Sequence, residues 1–293
     1  MISYQPKEWF KFIFTAKRSD TIRQLVPFMV ILSLYSLIIA YLELSYWNLS
    51  ADNQLKNITV THSLLGFVLS MLLVFRTNTA YDRWWEGRKL WGSLVNNSRN
   101  LAMKMNALLP AEDKKERDFF RRSIPLYAQL LRSHLRSEKT RLELDEQEHP
   151  ELAGIKSSEH MPNQLAGIMT SRLVRLQQNG KISPEQLLFI NNELSSFTDI
   201  CGACERVKNT PIPYSYSVFV KKFIFFYVMT LPFGYVFSLG YWVVPVVVFI
   251  FFVLGSLELI AEEIEEPFGG DANDLPTDKI ALSIKKSVED ILI

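Results

Sequence analysis

This sequence is short of the residues that usually announce chemistry. It has two cysteines in 293 residues, Cys201 and Cys204, too few for a disulfide framework and consistent with a reducing compartment. Their Cys-Gly-Ala-Cys spacing matches a redox dithiol, but that motif belongs at a helix start behind a strand. Here the surrounding pattern is helical throughout, so the pair reads as packing residues. Charge of one sign is also missing: 32 Lys and Arg against 31 Asp and Glu leave +1, which gives nucleic acid no basic surface to bind. Four histidines, His62, His134, His149 and His160, are scattered, and none supports a zinc site with the cysteines. No phosphate-binding loop, dinucleotide fingerprint or nucleophile elbow occurs, so nothing argues for an enzyme or a required cofactor. There is no internal repeat and no low-complexity tract. An export signal is absent as well. Residues 1–24 place Lys7, Glu8, Lys11, Lys17 and Arg18 among Trp9, Phe10, Phe12 and Phe14, which reads as an amphipathic interfacial segment.

What the chain does have is apolar length. It is 48% hydrophobic and 13% aromatic, with mean hydropathy +0.07, values suited to a membrane protein with a large polar part. Four runs are candidate spans: residues 25–49, broken only by Glu43; 58–75; 218–239, with Lys221 and Lys222 at its start; and 241–260, with Glu258 near its end. About 18 residues of helix cover about 27 Å, close to a bilayer's hydrocarbon core. Basic residues cluster before the first run and after the second, where Arg76, Arg83, Arg88, Lys89, Arg99 and Lys104 follow. The connection at 50–57 carries only Lys56, and that around Gly240 carries no charge. The positive-inside rule then puts both termini and the middle of the chain in the cytoplasm.

The expected organisation is an all-α membrane protein. An N-terminal segment (1–24) leads to two spans (25–76), a helical cytoplasmic domain (77–217), two further spans (218–261) and a cytoplasmic C-terminal segment (262–293). Within the middle, residues 84–108 continue the second span. Helices are expected over 112–137, 164–179 and 185–208. Gly180 is a C-cap residue and Ser183-Pro184 an N-cap with proline at the first helical position. Residues 138–162 read as loop or short helices.

The exit from the second span is the most informative stretch. Phe67, Met71 and Phe75 recur at i, i+4 and i+8 and line one stripe, which is lipid-facing, a packing seam or the wall of a pore. Arg76 lies about 100° off that stripe. Farther on, six carboxylates fall within 262–274, with a Pro267-Phe-Gly-Gly turn among them. They read as a solvated acidic turn or a site for a hard cation such as calcium, though not as an EF-hand loop.

Three blocks resemble the bestrophin family in its bacterial branch: FRTNTAYDRWWEGRKLWG at 75–92, ERVKNTPIPYSY at 205–216 and EEIEEPFGGDANDLPTD at 262–278. The resemblance implies a homopentameric ion channel in the bacterial inner membrane, passing small monovalent ions through a narrow apolar neck on the second span. By position the neck is Phe67, Met71 and Phe75. Animal members carry an isoleucine and two phenylalanines there. The third block corresponds to a calcium clasp, whose side-chain ligands fall on Asp271 and Asp274. Gly270, Ala272 and Asn273 stand where the animal pattern is acidic, which argues against calcium activation here. A second, cytoplasmic aperture falls near Glu185, where the family usually has an apolar side chain. Cations such as sodium and potassium are slightly favoured over chloride. The rival of another class is a membrane scaffold or sensor whose cytoplasmic helices bind a partner.

Overall fold

The computed structural model describes residues 21–48, 58–137, 155–156 and 159–292. The interfacial reading of the N-terminus, the short 50–57 connection and most of the 138–162 loop lie outside the described residues. The described residues form eight α-helices and no strand: α1 (Thr21–Tyr41), α2 (Ile58–Leu108), α3 (Lys114–Leu135), α4 (Met161–Gln178), α5 (Pro184–Asn209), α6 (Tyr214–Leu239), α7 (Val243–Glu265) and α8 (Thr277–Ile291).

Long apolar runs make the membrane-length elements, and they stay helical through Pro27 and Pro232. Three helical stretches are long and apolar enough to cross a membrane: Thr21–Tyr46, Ile58–Leu108 and Tyr214–Glu265. The first is α1 extended by a π turn at Leu42–Tyr46, which buries Glu43 among the apolar helices. The third is not one rod. At Gly240 the chain takes φ +56°, a conformation glycine adopts without a Cβ penalty, and a single 3₁₀ turn follows through Trp242. Helices α6 and α7 then pack on each other and both pack on α2, so the stretch is a hairpin of two separate helices.

Helix α2 organises everything else. Its 51 residues give a rod about 76 Å long. The upper half joins α1, α6 and α7 in one apolar cluster that includes Leu69, Leu73, Val228, Leu231, Val243 and Val247. The lower half joins α3, α4, α5 and α8 in a second cluster, built on Trp91, Phe120, Tyr127, Phe197 and Phe268. Tyr127 donates its hydroxyl to the Phe197 carbonyl at 2.7 Å, so its buried polar atom has a partner. Truncating such a buried aromatic costs about 3–5 kcal/mol.

The start of α5 and the end of α4 match their expected caps. Ser183 and Gln186 form a reciprocal capping box at the start of α5, with Pro184 in the first turn, and Gly180 takes φ +68°. One element departs from expectation. Residues 277–291, read only as a C-terminal segment, form α8, whose Ala281, Ile284 and Val288 are buried against α2 and α3. Asp278 on α8 is held by Arg132 and Arg136 of α3, the latter at 2.8 Å.

Candidate pore face and the junction beside it

The sequence places Phe67, Met71 and Phe75 about 6 Å apart along α2, and the fold leaves all three uncovered, with 64%, 45% and 58% of their surfaces exposed. The opposite face of the same turns is sealed: Leu69, Leu73, Arg76 and Ala80 are buried. The bare face is not uniformly apolar. Ser63 and Ser70 are exposed on it within the apolar half, and below Phe75 it continues as Asn78, Thr79 and Asp82. The Ser70 hydroxyl donates to the Gly66 carbonyl at 2.8 Å and that of Thr79 to the Phe75 carbonyl at 2.9 Å, so each has one local partner and an open lone pair.

Behind this face the three blocks quoted above meet. Arg76, 1% exposed, turns away from the bare stripe and pairs with Glu265 at the end of α7 (2.7 Å), with Glu258 of α7 at 3.5 Å. The other Glu265 oxygen accepts the Ile212 N–H at 2.7 Å, in the proline-bounded link between α5 and α6. Arg83, two turns below Arg76, donates to the Glu265 carbonyl at 3.0 Å, the Val207 carbonyl at 2.6 Å and the Thr210 carbonyl. Tyr216 donates to the Leu72 carbonyl at 2.9 Å. A buried arginine needs both a carboxylate and enough acceptors, and these loops are shaped to supply them. Sequence reasoning placed Arg76 off the stripe but missed Arg83 and Glu265 as its companions; only their shared blocks hinted at it.

The acidic turn docks on the same stretch of α2. Trp84 Nε1 donates to the Asn273 carbonyl at 3.0 Å. Phe268 is buried over Gly87, where a Cβ would lie 3.1 Å from the Phe268 ring and 3.2 Å from Leu275. Asp271 and Asp274 are brought together, in unequal roles. Asp274 is buried and its Oδ2 accepts the Asp271 N–H, whereas the Asp271 side chain is exposed. Burial pushes the Asp274 carboxyl up to about 6. Calcium wants about six to eight oxygens arranged around one point. Here the carbonyls of Glu266, Pro267 and Asp271 accept bonds from Gly269, Leu275 and Asp274 within the turn, and that of Asn273 is taken by Trp84. Among the side-chain oxygens of the turn, Asp274 Oδ1 is buried without a partner.

Glu185 lies far from this junction, exposed in the first turn of α5. The Ser183 hydroxyl donates to its carboxylate at 2.6 Å and holds it below the usual carboxylate range. One turn on, Leu188 and Phe189 are exposed, the former at 72%. Lys104 near the end of α2 fixes this edge through the Phe189 carbonyl and Glu193, both at 2.6 Å. Leu188 was not anticipated, because a helix-start leucine carries no signal of its own. The cysteines are buried, and burial pushes the Cys201 thiol up to about 12, so neither is a thiolate poised for redox work.

The family model for the bacterial/fungal bestrophin protein matches residues 1–290. The chain belongs to the bestrophin family. Among curated bestrophin relatives, a voltage-dependent anion channel-forming protein of Nostoc sp. is 35% identical over 294 residues, covering 97% of this chain and 92% of the relative. One of the same description from Escherichia coli K12 is 34% identical over 224 residues, covering 76% and 73%. Among solved structures, a bacterial bestrophin homologue from Klebsiella pneumoniae superposes with a TM-score of 0.78 at 27% identity, covering 92% of this chain and 98% of the homologue. This bestrophin is therefore an all-α membrane protein, and its three sequence blocks are the parts that build its central junction.

Proposed function

We propose that this bestrophin is a homopentameric ion channel of the bacterial inner membrane. Four crossings, α1, the upper half of α2, α6 and α7, leave both termini in the cytoplasm. The observation that carries the reading is the uncovered stripe of α2. A lipid-facing stripe gains nothing from Ser63 and Ser70, and a stripe that packs within the chain is covered. A water-lined axis suits both the exposed hydroxyls and the polar continuation at Asn78 and Asp82. Phe67, Met71 and Phe75 from five subunits form an apolar neck about 12 Å long. Such a constriction sheds water, so conduction depends on movement of side chains or of whole helices. Phe67→Ala, Met71→Ala and Phe75→Ala together raise ion flux into liposomes. Unchanged flux from a pentamer of normal size would sink the neck assignment. No flux from the wild type under any voltage or ligand supports the scaffold reading instead.

Selectivity is assigned to small monovalent cations, through a cytoplasmic ring of Glu185 with Leu188 beside it. Five exposed carboxylates around an aperture raise the local cation concentration. The reversal potential under a sodium chloride gradient then follows sodium, and Glu185→Gln moves it toward zero. The curated relatives, described as voltage-dependent anion channel-forming proteins, favour the second reading, an anion channel, and a reversal potential that follows chloride selects it. The acidic turn is closed by its own hydrogen bonds and conduction does not require calcium, so a calcium chelator leaves flux unchanged.

A further inference from the structure

The fold assembles a metal-ligand set that sequence spacing hides. His134 is in the last turn of α3, His160 is the N-cap of α4 and Glu205 is near the end of α5. They are 26 to 71 positions apart, yet both imidazoles converge on one oxygen. His134 Nε2 and His160 Nε2 lie 2.6 and 2.7 Å from Glu205 Oε1, and the rings are 4.3 Å apart between centroids. All three ligand atoms fall within 4.8 Å of one another. Each side chain keeps about a third of its surface open (31%, 31% and 30%), so an ion can enter from solvent. The scattering of histidines along the chain thus misdescribes them, because two of the four meet in space.

We propose that His134, His160 and Glu205 form a binding site for a transition-metal ion of the zinc type, separate from the acidic turn and from the ion path. Two imidazoles and one carboxylate are a zinc ligand set, with the fourth position left to water. Zinc–ligand bonds of about 2.0–2.2 Å at tetrahedral angles separate ligand atoms by about 3.4 Å. The two nitrogen–oxygen distances must therefore open by about 0.7 Å, within reach of rotation about the side-chain torsions of part-exposed residues. Hard cations are poor candidates, since calcium and magnesium take oxygen ligands.

The proton inventory has one consequence. A ligating imidazole keeps its proton on the other ring nitrogen. At present His160 Nδ1 accepts the Asn163 N–H at 3.2 Å, so the ring carries its proton on Nε2. Loading the metal on Nε2 moves the ring's proton to Nδ1, which ends the acceptor role there and gives up the cap of α4. A single long N-cap bond is worth far less than a metal–ligand set, so the exchange favours the bound ion. Lys208 stands nearby, but its ammonium is directed to the Ser137 hydroxyl and the His134 carbonyl, at 2.6 and 3.4 Å, and away from the ligand atoms. The bound ion fastens α3, α4 and α5 at one point. Those helices already share the lower apolar core, and the ion adds a direct cross-link where their ends meet.

The test uses the full chain in detergent, freed of any polyhistidine tag. Zinc is titrated against a chromophoric chelator and cobalt(II) is added as a spectroscopic probe. One ion per chain is expected, with a visible tetrahedral cobalt band and a higher unfolding temperature. Glu205→Gln keeps an acceptor for both imidazoles and removes the anionic ligand. It should elute as the wild type does and weaken zinc binding at least about tenfold. His134→Ala with His160→Ala should abolish the cobalt band. A wild type that binds no zinc in competition with the chelator overturns the proposal. So do variants that bind with unchanged stoichiometry and affinity.

Discussion

Single residues in this protein divide their labour by which way they point from α2. Phe75 faces open space, while Arg76, the next residue, is sealed between Glu265 and Glu258. The helical angle between neighbours made that division readable from sequence. The identity of the acceptors did not follow from it, because they come from the end of α7 and the link after α5. Asp274 offers a test at this scale. Burial raises its folded pKa to about 6, above the ordinary aspartate value. A raised acid favours the folded state when protonated. Its contribution is fully present below about pH 4 and is lost as pH rises through about 6. Asp274→Asn stays neutral throughout, so it removes this component. Thermal unfolding in detergent across pH 4–8 should show a smaller loss of stability on raising the pH in the variant than in the wild type. An identical pH slope in the two proteins would discount the buried carboxyl as a titrating group.

At the scale of elements, the long helices were legible because apolar runs, caps and breakers agree with one another. The N-cap read at Ser183-Pro184 placed the start of α5 to within a residue, and its end, expected at 208, falls at Asn209. Helix α8 was missed for a physical reason. Its 15 residues are polar on one side, and the apolar side has meaning only once α2 and α3 are there to cover it. Contact between α2 and the acidic turn was equally invisible, since it depends on an absent side chain at Gly87. Gly87→Val places branched methyls against Phe268 and Leu275, which sit at 3.1 and 3.2 Å from the Cβ position. Overpacking of this kind costs about 1–3 kcal/mol, more than the gain in helix propensity over glycine. The expected result is a lower unfolding temperature and loss of protection of the 268–275 turn in hydrogen exchange. A variant as stable as the wild type would show that the turn yields freely.

The whole molecule carries more apolar surface than one chain can bury. Phe28, Ile31 and Ile38 on α1, Phe225 and Phe226 on α6, and Phe249 on α7 all stand exposed alongside the α2 stripe. A bilayer and neighbouring subunits are what such surface requires. The apolar, all-helical character was readable from composition and pattern. The meeting of three distant blocks at one junction was not, because proximity in space leaves no trace in the spacing of any one block. One feature of that architecture bears on how the channel opens. Helix α2 is continuous from Ile58 to Leu108, and its lower half is locked in the second core. A tilt of this rod about its packed lower half carries the stripe at Phe67, Met71 and Phe75 as the tip of a lever. Met71 sits about 55 Å from the lower end, so a tilt of about 3° there carries it about 3 Å, enough to change a narrow aperture. Any event that reseats the helices packed on the lower half of α2 is amplified at its apolar end.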